Sequence, residues 1–203
     1  FPYTTLFRST WNRLALLIFA VLSLLVAGEL QAGVVVGGTR FIFPADRESI
    51  SILLTNTSQE SWLINSKINR PTRWAGGEVS TVPALLLAAP PLILLKPGTT
   101  GTLRLLRTES DILPVDRETL FELSIASVPS GKVENQSVKV AMRSVFKLFW
   151  RPEGLPGDPL EAYQQLRWTR NSQGVQLTNP TPYYINLIQV SVNGKALSNA
   201  GVV

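Results

Sequence analysis

Short apolar segments separated by turn residues follow one another through residues 34–151, and helical periodicity is scarce. Asn56-Thr57-Ser58 and Lys96-Pro97-Gly98 are two of the turns. The segments are 39–44, 49–55, 61–68, 92–95, 102–106, 120–128 and 137–151. About seven short, turn-separated strands are typical of an immunoglobulin-like sandwich, so the sequence predicts an all-β fold.

The last of these segments has a clear period of two. Three apolar residues alternate with three others, namely Val138, Val140 and Met142 with Lys139, Ala141 and Arg143. This pattern predicts a half-buried strand over 137–151, preceded by a turn or loop at 130–137. At a sheet edge, such a strand could pair with another chain. The pattern alone leaves open the commoner case, in which the strand packs its own core.

Residues 152–158 are rich in proline and glycine and read as a stiff linker. We therefore expect a first immunoglobulin-like domain at 33–151 and a second, set at an angle to it, beginning at 159. Segments 166–168, 174–180 and 183–190 read as strands of the second domain. Because these are too few to close a sandwich, we expect the second domain to be incomplete at residue 203.

The N-terminal region predicts export. Arg13 precedes an apolar run at 14–27, which has the length of a signal-peptide core and is short for a membrane span. We expect residues 1–32 to be a leader and signal peptide cleaved after Ala32, with no stable membrane insertion afterwards. An uncleaved membrane anchor is the alternative.

Composition argues against an enzyme. Histidine and cysteine are absent, which excludes Ser-His-Asp and Cys-His nucleophiles and any thiolate or imidazole metal site. Carboxylates are scattered, and no glycine-rich phosphate loop follows a strand. We therefore expect no catalytic residues, no metal and no cofactor. The net charge of +5 is dispersed, so no nucleic-acid partner is expected.

Five motifs in order resemble those of periplasmic pilus-assembly chaperones of the chaperone–usher family, over residues 34–203. The motifs are Gly38-Thr39-Arg40-Phe41-Ile42-Phe43, the Pro90-Pro91 to Pro97-Gly98 segment, Leu113 to Phe121, Phe146 to Pro152, and Asn179-Pro180-Thr181-Pro182-Tyr183-Tyr184. The chain departs from the family pattern at Glu122, Ser124 and Ser130. Its short 128–137 loop resembles that of the short-loop subgroup.

The resemblance implies a periplasmic chaperone with two immunoglobulin-like domains and a cleft between them. It implies that the 137–147 strand is lent to pilin subunits that lack a strand of their own, a form of strand addition. Val138, Val140 and Met142 would fill the groove of the pilin. The chaperone would then deliver the pilin to an outer-membrane usher.

The resemblance also assigns charged residues. Arg40 and Lys147 would anchor the C-terminal carboxylate of the pilin, and charged donors suit a carboxylate that leaves water. Glu118 and Arg151 resemble two members of an interdomain salt-bridge network. A third, acidic member would lie beyond residue 203.

Other readings remain open from the sequence. A secreted adhesion or carbohydrate-binding sandwich would expose Trp62, Trp74 or Trp168. A structural pilin would need a missing strand and a donor extension, and an exported enzyme would need a convergent polar cluster.

Overall fold

The computed structural model describes residues 33–71, 86–108, 113–131, 139–172, 174–192, 194–197, 201 and 203. Within these residues it contains thirteen β-strands and one 3₁₀ helix at Ala162–Gln165. The strands are β1 (Val34–Val36), β2 (Arg40–Pro44), β3 (Ser49–Asn56), β4 (Trp62–Asn69), β5 (Leu86–Ala89), β6 (Leu92–Leu95), β7 (Thr100–Arg107), β8 (Thr119–Pro129), β9 (Met142–Arg151), β10 (Arg167–Asn171), β11 (Gly174–Thr178), β12 (Val190–Val192) and β13 (Lys195–Leu197).

The first nine strands form two sheets. One sheet has the order β1-β3-β7-β5, and the other has the order β2-β9-β8-β4-β6. All of these neighbours are antiparallel except β2 and β9, which run parallel. The remaining strands form two antiparallel hairpins, β10-β11 and β12-β13. The predicted all-β fold is confirmed.

The core lies between the two sheets because one face of each strand is apolar. In β3, Ile52 and Leu54 are buried, whereas Leu53 between them is exposed. Other buried members of the same cluster are Phe43, Ile64, Leu103, Leu105, Phe121, Leu123, Leu148 and Trp150. The side-chain period of two thus places residues from both sheets in one core.

Two strand predictions are wrong in part. The strand predicted over 137–151 begins at Met142, and residues 139–141 lie outside any strand. The segment predicted over 183–190 is mostly irregular, and β12 begins only at Val190. The predicted leader and signal peptide at 1–32 lies outside the described residues, as does most of the 130–137 loop. Within the described ranges, no helix is long and apolar enough to cross a membrane.

Gly101 in β7 provides a test of the packing. A Cβ atom there would lie 2.6 Å from Leu95 Cδ2, and Leu95 is buried. We expect Gly101→Ala to lower the free energy of unfolding by about 1 kcal/mol, because crowding outweighs the entropy that alanine removes from the unfolded chain. Gly37→Ala is the control, since its Cβ would meet nothing closer than 3.4 Å. Urea denaturation that shows equal stability for both variants would contradict this account.

Candidate functional site

Strand β9 carries different chemistry on its two faces. Phe146, Leu148 and Trp150 point into the core, where Trp150 stacks on Phe43 with ring centroids 5.4 Å apart. Lys147, Phe149 and Arg151 alternate with them and therefore point to the other face. On that face the Phe149 ring lies 5.6 Å from the ring of Tyr184. The charged face of β9 thus meets the segment around Tyr184.

The two cations assigned to the carboxylate anchor lie side by side. Arg40 in β2 is directly opposite Lys147 in the parallel pairing, so both side chains leave the same face. Arg40 is exposed, and Lys147 is half-buried. Lys147 Nζ donates a hydrogen bond of 2.5 Å to Asn186 Oδ1. Two motifs distant in sequence are therefore brought together, as an anchor requires.

The electrostatics of the pair favour an anion. Loss of hydration and, to a smaller extent, the positive charge of Arg40 lower the pKa of Lys147 below its ordinary value. Both causes penalise a charged ammonium, and an added negative charge nearby would offset that penalty. The role of Arg40 and Lys147 in binding a carboxylate stays a prediction.

The predicted pair of Glu118 and Arg151 is formed. Arg151 Nε donates to Glu118 Oε1 at 2.7 Å, and the backbone N–H of Tyr184 donates to Glu118 Oε2 at 2.7 Å. The Glu118 side chain is only 2% exposed, against 28% for Arg151. The Glu118 N–H also donates to the Pro182 carbonyl oxygen, and the Arg151 guanidinium lies over the Tyr183 ring. This cluster joins Glu118, which immediately precedes β8, and Arg151 of β9 to residues 182–184.

Of the three residues predicted to fill a pilin groove, Met142 begins β9 and Val140 lies just before it. Met142 is 61% exposed and Val140 is 65% exposed, whereas Val138 lies outside the described residues. Because side chains alternate along a strand, Met142 lies on the same face of β9 as the core residues Phe146 and Leu148. β2 pairs with β9 only at 147–151, so no strand in the described ranges covers that edge of β9 at 142–146. An apolar, exposed row therefore adjoins an uncovered backbone edge.

Two residues near the cations were not predicted as part of the site. Asn186 is a single polar residue in an apolar stretch, and no motif singled it out. Glu122, noted only as a departure from the family pattern, is buried and lies directly opposite Lys147 in the β8–β9 pairing. A row of Arg40, Lys147 and Glu122 therefore crosses three strands.

Of the two described tryptophans that the adhesion alternative requires at the surface, one is exposed and one packs on the core. Trp62 packs against the core, and its Nε1 donates to Ser58 Oγ at 2.7 Å. Trp168 on β10 is 54% exposed. Trp74 lies outside the described residues.

Comparison with known proteins identifies the family. Residues 33–156 match the model of the pili and flagellar-assembly chaperone, PapD N-terminal domain. Residues 161–203 match that of the pili assembly chaperone PapD, C-terminal domain. The chain belongs to the PapD-like pilus-assembly chaperones. Matches to both domain models also confirm a fold of two domains.

Individual relatives agree with this assignment. The chain is 98% identical over 195 residues to the fimbrial chaperone YcbF of Escherichia coli K12, covering 96% of this chain and 83% of that protein. It is 32% identical over 187 residues to the chaperone protein FimC of the same strain, covering 90% and 75%. A solved complex of the SafA pilin with the SafB chaperone from Salmonella enterica matches with a TM-score of 0.72 and 30% identity, covering 87% of this chain and 81% of that one. Membership in this family disfavours the adhesion reading.

Proposed function

We propose that this chaperone binds pilin subunits in the periplasm by lending them strand β9, and then delivers them to an outer-membrane usher. The observation that carries the proposal is the exposed apolar row of Val140 and Met142 beside the uncovered edge at 142–146. A pilin with an open groove could pair with this edge and bury the row. Each buried side chain would contribute about 1.5–3 kcal/mol before ordering costs. Binding and release of this kind need no covalent chemistry.

The carboxylate anchor sets the register of this pairing. Arg40 and Lys147 lie just beyond the uncovered edge, at the point where β2 begins to pair with β9. If the last residues of a pilin pair with residues 142–146, the terminal carboxylate lies near these cations. A slip of one residue would move every side chain of the strand to the opposite face. A fixed terminal carboxylate would hold the pairing in one register. The Glu118–Arg151 pair contacts residues 182–184 and would fix the cation-bearing face of β9 against the second domain.

The periplasmic location, the pilin as partner and delivery to the usher rest on separate observations. The apolar run at 14–27 predicts export, and the family models describe pilus assembly. The SafA–SafB complex is a chaperone bound to a pilin, which supports the same partner class here. Delivery to an usher follows from the chaperone–usher resemblance.

The test is co-purification from the periplasm with the pilin-like proteins encoded beside the chain, identified by mass spectrometry. We expect Lys147→Ala and Arg40→Ala each to weaken capture by roughly ten- to a hundredfold, since each removes a charge-assisted hydrogen bond. Lys96→Ala, which removes an exposed lysine in the turn after β6, is the control and should capture normally.

The outcomes separate the parts of the proposal. Capture that neither cleft mutation changes would retain pilin binding but rule out the carboxylate anchor. A folded protein that captures no pilin would overturn the chaperone proposal itself.

A further inference from the structure

Asn186, in the second domain, contacts Lys147 of the cation pair. Its Oδ1 accepts the hydrogen bond from Lys147 Nζ, whereas Lys147 itself lies on β9 of the first domain. An ammonium group only donates hydrogen bonds, so the amide oxygen must face it and the Nδ2 group must point elsewhere. Within the described ranges, Nδ2 of Asn186 donates to no acceptor.

The backbone around Asn186 is held on both sides. Ile185 N donates to the Val203 carbonyl oxygen at 2.9 Å, and Val203 N donates back to the Ile185 carbonyl oxygen at 3.0 Å. Leu187 N donates to the Gly201 carbonyl oxygen at 3.2 Å. Because the flanking backbone is fixed, the Asn186 side chain is presented to Lys147 from a defined position.

A neutral hydrogen-bond acceptor suits the position beside the Lys147 ammonium group. Lys147 has lost part of its hydration, which contributes to its lowered pKa, and the amide oxygen replaces some of the lost hydrogen bonding. The amide does so without cancelling the positive charge. Glu122 already supplies one carboxylate to the row of Arg40 and Lys147, so a second acid would leave no excess positive charge for a ligand.

We propose that Asn186 is a positioning residue of the carboxylate anchor, which orients Lys147 and adds its own Nδ2–H as a third donor. The ligand class is the free C-terminal carboxylate of an extended peptide chain, held by donors from both domains. This inference rests on the proposed function, because it assumes that Arg40 and Lys147 bind that carboxylate. It explains why the residue is an amide: one side chain can accept from the ammonium and donate to the carboxylate.

The test uses the full-length chain and a fluorescein-labelled synthetic peptide of alternating valine and threonine. The peptide is made as the free acid and as the C-terminal amide, and binding is followed by fluorescence anisotropy. We expect wild type to prefer the acid by at least about tenfold. Asn186→Ala should weaken acid binding by roughly five- to tenfold and leave amide binding unchanged, which a general loss of folding would not do.

Asn186→Asp separates charge from hydrogen bonding. Aspartate keeps the acceptor for Lys147 but adds a negative charge, so the preference for the acid should disappear. Asn171→Asp makes the same change on the exposed strand β10 and should keep the preference.

Each result decides a different point. A wild-type chain that binds both peptides equally would overturn the anchor and this inference with it. A wild-type preference that survives in Asn186→Ala and Asn186→Asp would overturn the role of Asn186 while the anchor stands.

Discussion

Arg151→Ala is expected to lower the free energy of unfolding by about 3 kcal/mol, near the lower end of the range for breaking a buried ion pair. The Glu118 carboxylate is 2% exposed and would keep only the hydrogen bond from the Tyr184 N–H. A buried charge that loses its counter-ion carries a desolvation penalty with little compensation. The contact between the guanidinium and the Tyr183 ring would also be lost. Urea denaturation measures the change.

An exposed ion pair on the same chain is the matched control. Arg117 and Asp116 are joined at 2.9 Å, but their side chains are 67% and 64% exposed. Arg117→Ala should therefore change stability little, because water screens such pairs and solvates the remaining partner. Equal losses for Arg151→Ala and Arg117→Ala would show that burial of Glu118 does not determine the cost.

A second substitution identifies the cause of the loss. Adding Glu118→Gln to Arg151→Ala removes the uncompensated negative charge and keeps a side chain of similar size. We expect the double variant to recover part of the lost stability. A double variant less stable than Arg151→Ala would indicate that packing of the arginine side chain, rather than its charge, accounts for the effect.

Strand faces could be predicted because they are encoded locally. In the 49–55 segment, apolar residues recur at Ile50, Ile52 and Leu54, and the structure buries Ile52 and Leu54 while Leu53 is exposed. The same alternation in β9 puts Lys147 and Met142 on opposite faces, which is the arrangement that the proposed function uses. Side-chain period depends only on neighbouring residues, so a single sequence suffices for it.

Strand ends and irregular segments could not be predicted from the same pattern. Alternation continues through residues 139–141, but the β8–β9 pairing ends with Ser127 opposite Met142. The segment after Asn179 looks strand-like, yet Tyr183 Oη donates to the carbonyl oxygens of Leu155 and Gly157. The N–H of the next residue, Tyr184, donates to the Glu118 carboxylate instead of to a neighbouring strand. Partners distant in sequence therefore override the local tendency.

The residues of the site likewise include some that the sequence predicts and some that only the structure reveals. Arg40, Lys147, Glu118 and Arg151 were assigned because each stands in a motif that resembles the family. Asn186 belongs to no such motif and becomes visible only when folding places it against Lys147. The burial of Glu122 also depends on tertiary packing, since its sequence neighbours on β8 do not distinguish it from a solvated strand residue.

Met142→Glu is expected to weaken binding of pilins by about a thousandfold, the largest functional effect that we predict. In the proposed complex the side chain enters an apolar groove, where a carboxylate would have no counter-ion and the burial of methionine would be lost. In the free chain Met142 is 61% exposed, so the free energy of unfolding should change by less than about 0.5 kcal/mol. Periplasmic co-purification and urea denaturation measure the two effects.

Leu53→Glu is the matched control for this prediction. Leu53 is 55% exposed and lies on β3 of the other sheet, so its replacement makes a similar change of chemistry away from the lent strand. Capture by Leu53→Glu should equal that of wild type. Because both variants expose the same added charge, a shared loss would reflect solubility or export, whereas normal capture by Met142→Glu would show that the exposed row of β9 does not enter the pilin groove.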